Sequence, residues 1–159
     1  MKTNKLPILL RITLSIIGCV TALVFPFILY YIGGTKNSLS LYVTDKSTID
    51  IFNYSLIIIS ISLMIRKVYL FSSFLILMIV YFDVANYPNL HDLIAGTLFL
   101  LLTAVLVIEK KYLYSSIMLI NLFILNIYGL YFFELIAILV IVLYNLEITL
   151  KVIQKEYLE

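Results

Sequence analysis

The amino-acid sequence predicts an all-α protein, a polytopic transmembrane helical bundle with six spans and both termini on one side. Three observations carry that expectation. Hydrophobic residues make up 64% of the chain and charged residues 13%, with a mean hydropathy of +1.13, leaving too little polar surface to cover a soluble globule. The apolar runs are continuous, as in Ile57-Ile58-Ile59 and 98–102, where the strands of an outer-membrane barrel would alternate. The charges are confined to short breaks between those runs. In hydrocarbon every backbone donor and acceptor needs an internal partner, so separate spans of this kind must be helices.

The breaks divide one transmembrane domain, 1–159, into spans near 7–32, 48–65, 68–85, 92–108, 112–128 and 130–150. The first begins after a basic start, and Ile16-Ile17-Gly18-Cys19 resembles a lipoprotein cleavage box. The apolar run continues to Ile32, however, which favours an uncleaved span with Gly18 and Ala22 as small packing residues and a kink near Pro26. Gly33-Gly34 ends it, and a polar outer loop follows at 33–47 with Ser38, Ser40, Tyr42 and Asp45, then Asp50 just beyond.

In the second span Asn53 and Ser60 are expected to hydrogen-bond between helices. In the third, Ser72, Ile76, Ile79 and Asp83 fall on one face. Pro88 suits a turn in "FDVANYPNLHD", after which His91 and Asp92 open the fourth span, Asp92 as a helix-start cap. Asn121 is the lone polar group expected to pack inside the fifth span, and Asn126, Tyr128 and Gly129 are the turn signals before the sixth. There Glu134 is the only charge between Lys111 and Glu147 and aligns with Ala137, Ile141 and Asn145. An ionisable group at that depth costs several kcal/mol unless paired, protonated or hydrated, so it should face the bundle interior.

The basic residues test the number of spans. Lys2, Lys5, Arg11, Arg66, Lys67, Lys110, Lys111, Lys151 and Lys155 fall on one side of a six-span topology, and only Lys36 and Lys46 on the other. Nine against two is the bias of the positive-inside rule, so both termini and the tail 151–159 are expected in the cytoplasm or an organelle matrix. The net charge of +2 then reports topology and gives no reason to propose a nucleic-acid partner.

The opposite, outer side collects Asp45, Asp50, Asp83, Asp92, Glu134 and the sole histidine, His91. The expected site is an outward-opening polar pocket of Asp83, His91, Asp92 and Glu134, with His91 pairing Glu134. Helix-to-helix hydrogen bonding is the plainer role for Glu134, and capping is the plainer role for His91-Asp92. One histidine and one cysteine supply no zinc motif, no disulfide and at most one axial haem ligand. No metal, cofactor or catalytic residue is therefore expected, although a carboxylate site recruiting His91, Asp83 and Glu134 stays open. The serines of the outer loop lack the glycines of a nucleophile elbow.

The order "SLSLYVTDKSTIDIFNYSLIIISISLMI", then "LHDLIAGTLFLLLTAVLVI", then "FFELIAILVIVLYNL" resembles the FRAG/DRAM/Sfk-like six-helix membrane proteins and their bacterial relatives. The positions carrying the resemblance are Ser38, Ser40 and Tyr42, then Phe52, then His91 with Ala95, then Glu134, and the match runs from Thr35 onward. Serines such as Ser60 stand where the family has a second-helix glycine, and tryptophan is absent. The resemblance implies association with membrane lipids or membrane trafficking. Alternatives are an accessory subunit of a larger membrane-protein complex and an intramembrane enzyme or transporter; the last lacks a central charge in any span. The Ile-, Leu-, Tyr- and Asn-rich composition fits a bacterial inner membrane, with an organelle inner membrane as the alternative.

Overall fold

The structure is a computed structural model that describes residues 5–155; Lys2 and the end of the expected tail, 156–159, lie outside the described residues. Six α-helices follow in order: α1 (Lys5–Gly33), α2 (Ile49–Met64), α3 (Leu70–Tyr81), α4 (Pro88–Ile108), α5 (Tyr112–Tyr128) and α6 (Leu130–Ile153). Short 3-10 helices occupy Leu39–Thr44 and Lys67–Tyr69, and no strand occurs among the described residues. Three helices are long and apolar enough to cross a membrane: Pro7–Gly33, Pro88–Ile108 and Leu130–Ile153. The apolar segments Ile49–Met64, Leu70–Tyr81 and Tyr112–Phe123 are shorter.

Each helix ends where the backbone is told to turn. Gly34 (φ +69) follows α1, and Gly129 (φ +86) alone joins α5 to α6, in a conformation that side-chain-bearing residues rarely adopt. Lys110 (φ 58) turns the chain between α4 and α5. Pro88 stands at the first turn of α4, where a missing N–H costs nothing. Helix α1 continues through Pro26.

The third and fourth elements differ from expectation. The third helix is 12 residues long, about 18 Å at ~1.5 Å per residue, and stops at Tyr81 rather than near 85. The reason lies in Asp83: its carboxylate accepts hydrogen bonds from both the backbone N–H and the side-chain amide of Asn86, each 2.8 Å, which closes a turn and removes Asp83 from the helical face of Ser72, Ile76 and Ile79. Consequently α4 starts at Pro88, its N-cap is Tyr87, and the His91 N–H already makes a helical bond to the Tyr87 carbonyl at 2.8 Å. Asp92 lies beyond the first turn and caps nothing.

Each helix packs against the next in sequence, and α6 returns to pack against α1, closing the circuit. One buried cluster joins Leu63, Tyr69, Ile76, Phe99, Met118 and Tyr144 across six elements. A second, at the opposite end, joins Phe25, Leu29 and Phe52 to Leu39, Tyr42 and Val43 of the first 3-10 helix. Since lipid tails are as apolar as leucine, close packing and buried hydrogen bonds must hold such helices together. A Cβ at Gly18 would collide with the Ser62 side chain of α2, so the glycine permits that approach. Ser60 Oγ donates to the Ser73 carbonyl (2.9 Å), Asn121 Nδ2 to the Phe133 carbonyl (2.7 Å), and Ser15 and Thr149 share a bond of 2.8 Å between α1 and α6.

Candidate functional site

The segment 35–48 folds back onto the bundle instead of forming an open polar loop. Tyr42 is fully buried, its hydroxyl donates to the Gly34 carbonyl, and burial pushes its phenol above the usual range. Thr48 Oγ1 donates to the Tyr42 carbonyl at 2.6 Å, Lys36 pairs with Asp45 at 2.8 Å, and Ser38 is buried. Asp50 is exposed in the first turn of α2, where a negative charge suits the helix dipole.

Glu134 fastens this segment to α6. Its carboxylate accepts from the Leu39 N–H (2.6 Å) and the Ser40 hydroxyl (3.4 Å), and the Tyr131 N–H donates to the Asn37 carbonyl (2.9 Å). It therefore serves as a tertiary cap for the 3-10 helix Leu39–Thr44. The expected pairing of Glu134 with His91 is not formed.

His91 is 2% exposed, and its Nδ1 lies 2.9 Å from the Phe82 carbonyl. A carbonyl only accepts, so Nδ1 must carry the proton; in the neutral ring Nε2 is then an acceptor, and it has no partner among the described residues. The imidazole thus ties α4 to the residue just after α3. Beside it, Asp83 is held below the usual carboxylate range: burial opposes this as the largest single effect, but hydrogen bonds from Asn86 and Ala85 and the nearby imidazole together outweigh it. The four residues expected to form one pocket are thus engaged in two separate tasks, Glu134 on the 35–48 segment and Asp83 with His91 on the α3–α4 turn, while Asp92 is exposed. Of the polar residues expected to pack between helices, Ser60 and Asn121 bridge neighbouring elements as above. Asn145 Nδ2 returns to the Ile141 carbonyl at 2.8 Å, and Asn53 Oδ1 is buried without a partner among the described residues.

At the other end of the bundle, which carries both ends of the described chain, a cavity of about 460 Å³ opens between α1, α2 and α6. That volume suits a small-ligand pocket, ~300–1,000 Å³. Its walls are apolar, with Ile12, Ala22, Ile59, Ile141 and Val142; Ser15, Cys19, Asn145 and Thr149 add polar groups, and Arg11, Arg66 and Lys155 line it as well. None of Asp83, His91, Asp92 and Glu134 borders it.

The Arg66 guanidinium lies 5.9 Å from the centre of the Tyr69 ring and 6.0 Å from that of Tyr144, with Nη1 3.5 Å from Asn145 Oδ1. Lys111 Nζ also sits 5.9 Å from the centre of the Tyr144 ring, and Lys111 shares the Glu147 carboxylate with Lys151. Among the described residues no group of three or more His, Cys, Asp or Glu side chains could hold a metal ion.

Sequence reasoning assigned Arg11, Arg66 and Lys155 to topology alone. A signal was present: Arg11 falls inside the first expected span rather than in a break, which calls for a polar surrounding. Compared with protein-family models, curated proteins and solved structures, the chain matches none.

Proposed function

We propose that this chain is a small integral membrane protein that holds lipid, with six spans and both termini on the cytoplasmic side of a bacterial inner membrane, or on the matrix side of an organelle inner membrane. The observation that supports the lipid reading is the cavity between α1, α2 and α6, walled by apolar side chains within helices that have the composition of membrane spans. A site of that kind matches an acyl chain better than a polar metabolite. The FRAG/DRAM/Sfk-like resemblance points the same way and rests on Ser38, Ser40, Tyr42, His91 and Glu134. These residues act here as the fastening of the outer end, leaving the opposite end as the place for a ligand.

The reading is tested by purifying the protein from membranes in mild detergent, washing it extensively, and identifying retained lipid by mass spectrometry. Retention of phospholipid in fixed ratio to protein is expected; a protein washed free of lipid while still folded overturns the reading.

A second reading, an accessory subunit of a larger membrane complex, is favoured by one observation. The 12 residues of α3 reach about 18 Å at ~1.5 Å per residue, against a hydrocarbon core of ~30 Å. A partner helix covering that short element would relieve the mismatch. The same preparation separates the two readings, because a subunit brings down a second protein in stoichiometric amount.

A further inference from the structure

We infer that the cavity between α1, α2 and α6 selects an anionic phospholipid, whose phosphate is held by Arg66 and Arg11 while an acyl chain lies along the apolar walls. The inference rests on the lipid-holding reading above and adds the headgroup class and the residues that recognise it.

Three cationic residues from three segments, Arg11 of α1, Arg66 just after α2 and Lys155 just after α6, line one cavity, and among the described residues no carboxylate lies within 4.0 Å of any of them. Lys111 and Lys151, nearby at the same end, are by contrast tied to Glu147. Cations gathered around an apolar cleft repel one another unless an anion enters, and a guanidinium offers a fork of donors that matches phosphate geometry.

Arg66 is also held in place. The cation–π contacts with Tyr69 and Tyr144 and the contact to Asn145 Oδ1 restrict the guanidinium, so less side-chain freedom remains to be lost when an anion binds. The polar groups deeper in the cleft do not compete for this role. Thr149 Oγ1 donates to the Asn145 carbonyl at 2.8 Å, which leaves the Ser15 hydroxyl to donate to Thr149; both protons are committed. Recognition of a headgroup therefore falls to the arginines, and the remaining wall is suited to hydrocarbon.

The test uses the full chain in mild detergent, incubated with equimolar phosphatidylglycerol and phosphatidylcholine, washed, and analysed for retained lipid. Phosphatidylglycerol is expected to be retained at least about fivefold over phosphatidylcholine, the factor corresponding to roughly 1 kcal/mol for one basic group near a lipid headgroup. Arg66→Gln and Arg11→Gln should each reduce the preference by about that factor, and Arg66→Lys, which keeps the charge but loses the planar fork, should fall between Arg66→Gln and the parent. Arg11 is exposed and has no ion-pair partner among the described residues, so its variant is expected to fold even if Arg66→Gln does not. Lys110→Gln, at the exposed α4–α5 turn and outside the cavity, should leave the preference unchanged.

Equal retention of the two lipids overturns the headgroup assignment and leaves lipid holding intact, whereas a folded protein that retains neither overturns both. An equal loss in Lys110→Gln would mean that surface charge, not the cleft, makes the selection. Displacement of the retained phosphatidylglycerol by millimolar inorganic phosphate would mean a phosphate site, not a lipid site. Either result overturns the inference.

Discussion

At Gly18 a single missing methyl group decides how close α1 comes to α2, since a Cβ there would meet the Ser62 side chain. Gly18→Val is expected to destabilise the protein by about 1–3 kcal/mol, the usual cost of overpacking, read as a lower melting temperature in detergent. Glu134 acts over a longer reach. Glu134→Ala leaves the Leu39 N–H and the Ser40 hydroxyl without their acceptor, and a lost acceptor of this kind costs about 1–3 kcal/mol. The loss should loosen the 35–48 segment first, so trypsin should cut at Lys36 or Lys46 several-fold faster than in the parent. Glu134→Gln, which keeps one carbonyl oxygen, should fall between. Unchanged cleavage in Glu134→Ala would show that the carboxylate does not hold the segment down.

Among the elements, the turn between α3 and α4 carries a pH dependence with a clear sign. Asp83 has its folded pKa lowered below the ordinary 3.8 by bonds that only its ionised form makes fully. A depressed carboxylate contributes stability that is present above the unfolded pKa and lost as pH falls through the folded one. The melting temperature should therefore drop on acidification below about pH 4, and Asp83→Asn should flatten that part of the profile. Asp83 is only partly buried, so the effect is modest, and it is read as the difference between the two pH profiles. Identical acid limbs in the two proteins would remove Asp83 from the account. The same turn depends on His91, whose ring satisfies the Phe82 carbonyl from the following helix.

For the molecule as a whole the decisive expectation is topology. Under the positive-inside rule the bias of nine basic residues against two would place the termini on the cytoplasmic side, as proposed above. With Cys19 replaced by alanine, a cysteine at exposed Lys46 should react with an impermeant thiol reagent applied from outside, and one at exposed Gln154 should not. Reversed labelling would contradict the orientation, and labelling of both from outside would contradict an even number of spans.

Much of this architecture was legible along the chain because membrane helices are specified locally. Hydropathy marks a helix, and Gly33-Gly34, Pro88 and Gly129 mark its ends by backbone chemistry that needs no neighbour. The early stop of α3 was less legible, since Asp83 reads equally well as the last residue of a helix or as the acceptor of a turn with Asn86. The site was the least legible part. Placing Glu134, His91 and Asp83 toward one end of the bundle follows from counting spans, but their partners do not: Glu134 binds a backbone N–H of Leu39, and His91 binds the Phe82 carbonyl. Backbone groups carry no signature in the sequence. The cleft with Arg11, Arg66 and Lys155 exists because α6 closes back onto α1, bringing both ends of the described chain together. The sequence by itself therefore determined the helical class, most of the breaks and the placement of charge along the chain. Only the tertiary structure decided which charges share a cavity, because that depends on packing between segments far apart in the chain.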